Sequence, residues 1–237
     1  GEEEIVSRAM LIATAQAAGV ENKIQLDLSA DDRYEEPHPV AGNPLTRVSS
    51  GDVPYLFIDG QGDIATSTTG SIVAVAGSFN PMHRGHREMV EVAGRITGKT
   101  AVFEISVTNV DKPQLSASHL DARIAQMRRQ SPILITRAPT FEEKADLVPG
   151  TTFVIGYDTA VRVVDAKYYD GTVEAALNGI RETGCDFLVA GRLDNGSFRS
   201  VDDLKIPHGY ESLFDVISEE EFRFDGSSTE LRDGRSG

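Results

Sequence analysis

Residues 71–86, SIVAVAGSFNPMHRGH, constrain this chain more than any other stretch. The run from Ser71 to Ala76 is apolar without alternation, as expected of a parallel strand buried on both faces. Beyond the histidines, Met89, Val90, Val92, Ala93 and Ile96 recur at helical spacing. Strand, glycine, helix is a geometry that binds phosphate. Gly77 permits the turn and a close ligand approach, while the new helix aims unpaired N–H groups and its positive dipole end above the strand. His83 and His86, three residues apart around Gly85, place two imidazoles on one face at that mouth, each able to donate a hydrogen bond to a phosphate oxygen. The pattern points to phosphoryl chemistry at an anion site.

The remaining pattern supplies a sheet for that turn to stand on. Apolar runs at 100–108, 132–136, 151–155, 186–190 and 214–217 alternate with helical spacing at 116–130, 140–147 and 173–183. Such alternation predicts an α/β fold: a Rossmann-like open parallel sheet of about five strands with flanking helices, its site at the carboxyl edge where strand order reverses. Residues 2–18 read as a helix, with acidic residues in the first turn and Gly19 as its cap. From 21 to 70 the composition turns acidic and proline-rich, and only 54–59 (PYLFID) looks like a strand. We therefore expect a domain at 71–237 preceded by an N-terminal helix and irregular extension at 1–70, either a decorative extension or the remnant of a preceding domain.

Charge narrows the partners. A net charge of −14, with no basic stripe to offset it, argues against nucleic acid and anionic membranes. It leaves room for a nucleotide, because a local site with histidines, a few arginines and a divalent cation is electropositive inside an acidic molecule. The single cysteine, Cys185, precludes an internal disulfide and fits a reducing, cytoplasmic setting. No apolar run approaches membrane-spanning length. A Walker loop and GxGxxG are absent, and zinc at His83 and His86 lacks a third ligand at a persuasive local spacing.

GSFNPMHRGH resembles the HxGH signature of the nucleotidyltransferase superfamily, which includes nicotinamide and nicotinate mononucleotide adenylyltransferases, phosphopantetheine adenylyltransferase and the cytidylyltransferases. About 140 residues further on, Gly226-Ser227-Ser228-Thr229-Glu230-Leu231-Arg232 is similar to the superfamily's ISSTxxR motif. Two motifs in the right order carry the resemblance over roughly residues 70 to 233. It implies attack by a phosphate oxygen of a monophosphate acceptor on the α-phosphorus of ATP or CTP, with release of pyrophosphate. His83, His86 and Arg232 would be catalytic, stabilising the triphosphate in the transition state. Gly77, Ser78, Phe79, Asn80 and Gly85 would bind the nucleotide, Ser227, Ser228 and Thr229 the β and γ phosphates, and Mg²⁺ would bridge phosphate oxygens.

Three further positions lie at strand ends, where ligands of open parallel sheets bind. Lys112, in Asn-Val-Asp-Lys-Pro after 100–108, is a candidate for an acceptor phosphate or simply a solvated lysine. Asp158, in Gly-Tyr-Asp after 151–155, suits a helix N-cap, a ribose hydroxyl acceptor or a metal ligand. Arg192, after 186–190, matches a basic residue that the superfamily often keeps near the phosphates, where a bidentate guanidinium suits a triphosphate. In the mononucleotide adenylyltransferases a tryptophan after the GxD segment stacks the pyridine. This chain has no tryptophan, and Tyr168 or Tyr169 would take that place. The glycine turn and the NVDKP and GYD segments lean towards that adenylyltransferase branch. A cytidylyltransferase is the alternative, and a non-catalytic nucleotide-binding regulatory module is the alternative of another class. The partners expected are a nucleoside triphosphate and a small phosphorylated acceptor, with an oligomer possible.

Overall fold

A computed structural model describes residues 44–65, 70–109, 114–127, 130–169, 171–194 and 196–224. The chain divides into two compact units, 1–43 and 44–237. The first, which contains the helix expected at 2–18, lies outside the described residues.

Helix α1 (Pro44–Ser50) leads into strands β1 (Tyr55–Ile58) and β2 (Ile64–Ala65). Strand β3 (Ile72–Ala76) passes through the glycine turn into α2 (Arg84–Thr97), and β4 (Thr100–Ser106) into α3 (Ala117–Met127). Then come β5 (Ile133–Thr136), α4 (Phe141–Leu147), β6 (Thr152–Gly156), α5 (Tyr157–Val163) and α6 (Val173–Glu182). Strand β7 (Asp186–Ala190), the hairpin β8 (Arg192–Asp194) and β9 (Ser197–Arg199), and β10 (Phe214–Ile217) complete the described elements.

The sheet runs in the order β10-β7-β6-β3-β4-β5-β1-β2. Strands β10 to β5 in that row pair in parallel, while β1 and β2 add antiparallel at one edge. The parallel part thus has six strands where the sequence predicts about five, since the short run 214–217 pairs in full register with β7. The run 54–59, expected to be a strand within the N-terminal extension, is one over 55–58, and it pairs in register with β5. The Phe198 ring of β9 occupies the space where a Cβ on Gly191 would stand. The order reverses at β3: the chain builds β4 and β5 on one side, then returns to place β6 on the other. A crevice at the carboxyl ends of β3 and β6 follows from that reversal.

Each face of the sheet has its own core because successive side chains point to opposite sides. Val73, Val75, Phe103, Ile105, Ile133 and Ile135 pack with Val90 and Ala93 of α2 and Leu120, Ile124 and Met127 of α3. Ala74, Val102, Leu134, Phe153, Phe187 and Val189 pack with Ala145 of α4, Val163 of α5, and Leu177 and Ile180 of α6. Helix α2 ends where Gly98 takes a left-handed φ of 65°, and α6 begins on Thr172, whose hydroxyl accepts the Ala175 N–H at 3.1 Å. No helix among the described residues is long and apolar enough to cross a membrane.

Candidate active site

The glycine turn is fastened from two sides. Gly77 N–H donates to the Glu104 carbonyl at 3.0 Å, extending the β3–β4 ladder past the strand end. A Cβ on Gly77 would lie 2.9 Å from the Phe79 ring, so glycine is what admits the fold-back of this turn. From the other side, Arg123 of α3 donates to the Ser78 carbonyl at 2.9 Å, and Gln126 accepts the Met82 N–H at 3.0 Å. Arg87 of α2 in turn donates to Gln130 at 2.8 Å. Helix α3 therefore clamps the loop between β3 and α2.

The two histidines form a stack. Their ring centroids are 3.6 Å apart at 22°, and Phe224 lies over the other face of His83 at 4.6 Å and 8°. Phe79, fully buried, meets His86 edge-on at 4.9 Å. Phe79 thus supports a catalytic candidate from the core instead of lining an open surface. The His83 backbone N–H donates to His86 Nδ1 at 3.3 Å, so in neutral His86 the proton resides on Nε2, which is left as a donor. Burial, followed by the nearby His83 and Arg87, presses the His86 imidazole down to about 3, and burial with Arg87 lowers that of His83. Both rings are neutral near pH 7. The Nδ1 of His83 is buried and has no hydrogen-bond partner among the described residues.

Gly85 shows why the superfamily signature has glycine between its histidines in this chain. A Cβ there would stand 2.5 Å from Phe224 Cγ and 2.6 Å from Cδ1. The ring that stacks on His83 also lies flat against the first turn of α2, and Phe224 immediately precedes the segment carrying Ser227, Ser228, Thr229 and Arg232. Those four residues and Lys112 lie outside the described residues.

Beside the turn, a cavity of about 570 Å³ opens at the carboxyl edge and shares Gly77, Ser78 and Asn80 with it. Its far wall comes from the β5–α4 connection and α4, and its third side from Thr159, Arg162 and Val163 of α5 with Tyr168 and Tyr169. The Tyr169 hydroxyl donates to the Val163 carbonyl at 2.8 Å, and burial, then Glu142, pushes this phenol up to about 12. The Lys167 ammonium lies 4.8 Å over the Tyr168 ring. Beneath the wall, the fully buried Glu104 carboxylate accepts from Thr136 Oγ1 at 2.7 Å and from Lys144 Nζ at 2.8 Å.

Asp158 and Arg192 form an ion pair with each other at the ends of β6 and β7, both side chains about half exposed. Neither belongs to the cavity wall, whereas Tyr168 does. Sequence reasoning did not single out Arg162, Glu104, Lys144 or Phe224. Glu104 had a signal: it is a lone charge in the apolar run TAVFEIS. Among the described residues no three His, Cys, Asp or Glu side chains gather to hold a metal ion. With Glu104 engaged by Lys144 and Asp158 by Arg192, the donor set suits an ion held chiefly by phosphate oxygens, as Mg²⁺ commonly is.

A parallel sheet with a strand-order reversal, a glycine turn and paired histidines at its carboxyl edge defines a nucleotidyltransferase. A family model for cytidylyltransferase-like proteins matches residues 74–234, and the chain belongs to this family, part of the HxGH nucleotidyltransferase superfamily. No curated protein matches the sequence.

Proposed function

We propose that the protein transfers an adenylyl group from ATP to a mononucleotide acceptor, nicotinamide or nicotinate mononucleotide, and releases pyrophosphate. The observation that carries this reading is the cavity of about 570 Å³ that shares Gly77, Ser78 and Asn80 with the phosphate turn. An acceptor lodged there has room for a flat ring beside Tyr168 and Tyr169 and for a phosphate near Arg123. Its phosphate oxygen attacks the α-phosphorus, the bond from α-phosphorus to the bridging oxygen breaks, and pyrophosphate leaves with that electron pair. Such transfer depends on alignment and on neutralising charge, not on covalent help from the protein.

His86 Nε2–H and the N–H groups opening α2 donate to the triphosphate, with His83 stacked against His86 to hold it. Ser227, Ser228, Thr229 and Arg232 hold the β and γ phosphates, Arg192 reaches the same anion, and Lys112 and Asp158 contact the acceptor. Mg²⁺, held chiefly by the bound triphosphate, would supply positive charge to offset that of the leaving pyrophosphate. The family match favours a second reading, a cytidylyltransferase acting on a phosphorylated alcohol. Pyrophosphate release with Mg²⁺ separates the two. ATP and CTP are each tested against both mononucleotides and a set of phosphorylated alcohols. Release with ATP and a mononucleotide supports the first reading, and release only with CTP and an alcohol replaces it with the second.

A further inference from the structure

The buried pair Glu104–Lys144 is not needed for phosphoryl transfer, yet both residues line the cavity. Glu104 is fully buried and Lys144 is 6% exposed. Ionised groups are rarely placed under a sheet edge without a use, since desolvation offsets most of what their attraction contributes. Glu104 is saturated: Oε1 accepts from Thr136 and Oε2 from Lys144. Lys144 is not. Of its three N–H donors one meets Glu104, and the ammonium lies 4.8 Å from the Phe141 ring, whose face offers attraction but no lone pair. A donor therefore remains on the wall that Phe141 and Lys144 share, opposite the turn that holds the triphosphate.

Resting on the acceptor reading above, we propose that Lys144 reads the ring substituent of the acceptor and that Glu104 tunes it to choose a neutral carbonyl over a carboxylate. An oxygen accepting from Lys144 at roughly 3 Å would lie roughly 5 Å from the Glu104 carboxylate. Coulomb energy falls as 1/r, so repulsion cancels about three-fifths of the attraction felt by a charged oxygen. What remains does not compensate a carboxylate for the water it leaves behind. A carboxamide or carbonyl oxygen gains the hydrogen bond without that loss. The pair thereby distinguishes two acceptors of the same shape by charge alone, binding one and leaving the other uncompensated for its lost water.

The test uses nicotinamide mononucleotide and nicotinate mononucleotide, which differ at this substituent, with binding by calorimetry and pyrophosphate release with ATP. The wild-type protein is expected to favour the carboxamide. Glu104→Gln leaves Lys144 uncompensated and should move the preference at least tenfold towards the carboxylate. The double variant Glu104→Gln/Lys144→Met removes both charges, avoids burying a lone ammonium, and should bring the preference to within about threefold of unity while weakening both ligands. An unchanged ratio in a folded Glu104→Gln protein, or a wild-type preference retained by the double variant, overturns the role of the pair while leaving the acceptor reading standing. Wild-type protein that binds and turns over neither mononucleotide overturns the acceptor reading, and the role of the pair with it.

Discussion

Replacing Gly85 with alanine adds one methyl group where Phe224 covers the first turn of α2. That methyl would stand 2.5, 2.6 and 2.9 Å from three ring carbons, whereas carbon atoms in contact prefer about 3.5–4.0 Å. The ring must retreat by roughly 1 Å or more. Alanine returns about 0.5–1 kcal/mol through helix propensity, and the disturbed stack on His83 forfeits about 0.5–1.5 kcal/mol. The net effect on stability is then within about 1 kcal/mol, a few degrees in Tm. Turnover should respond far more, because displacement of the ring shifts His83, which stacks on the catalytic candidate His86. A misplacement of about 1 Å costs on the order of a hundredfold. Thermal denaturation and pyrophosphate release measure the two effects on one preparation. Combining Gly85→Ala with Phe224→Ala isolates the clash, since the methyl should cost little once the ring is gone. Turnover of Gly85→Ala within about threefold of wild type would refute the argument that Phe224 fixes His83 in place.

The histidines give a pH signature. His86 in the folded protein stays unprotonated down to about 3, while in the unfolded chain it takes a proton below its ordinary 6.5. Its contribution to stability, complete above pH 6.5, is lost as pH falls from there towards 3, at up to about 1.4 kcal/mol per pH unit. Urea unfolding at pH 5 and 7.5 should show this loss in wild type and a smaller one in His86→Asn, which should also turn over orders of magnitude more slowly. Triphosphate should raise the imidazole's proton affinity, so calorimetric titrations at pH 7 in two buffers of different ionisation enthalpy should differ; identical heats would mean that no proton is taken up. Arg192→Ala, at an exposed ion pair, should change stability by less than about 1 kcal/mol and raise the KM for ATP about tenfold. An equal effect from Asp158→Ala with an unchanged KM for ATP would reduce the pair to a surface contact.

What was legible in the sequence was whatever depends on near neighbours. Residues 72–76 form a strand and 84–97 a helix because hydrophobic spacing and one glycine suffice to specify them. The clamp on the turn was not legible, because Arg123 and Ser78 lie 45 residues apart and meet only once β4 pairs beside β3. The same holds for Glu104 and Lys144, brought together by the order β3-β4-β5. Each carried a trace of its role, an unexplained charge in an apolar strand and a lysine within the apolar stripe of a short helix, but neither trace names its partner. Phe224 was hidden for another reason. A single phenylalanine after Phe222 and Arg223 reads as ordinary packing, and only the space above Gly85 gives it meaning.

On the proposed function, charge at His86 arrives with the substrate. The imidazole of His86 is neutral because burial, not a carboxylate partner, sets its proton affinity. Bringing it from 6.5 to about 3 corresponds to roughly 5 kcal/mol. A phosphate oxygen about 3 Å away attracts an imidazolium by a similar amount, roughly 5 kcal/mol at an effective dielectric of about 20. The two nearly cancel, so on the proposed function a bound triphosphate would return the ring towards its ordinary behaviour. An aspartate in place of the surrounding hydrocarbon would have fixed the proton in the empty site and left a carboxylate facing the phosphates. Packing His86 edge-on against Phe79 and face-to-face against His83 avoids both: it holds the ring in place and would leave its charge to be decided by the ligand.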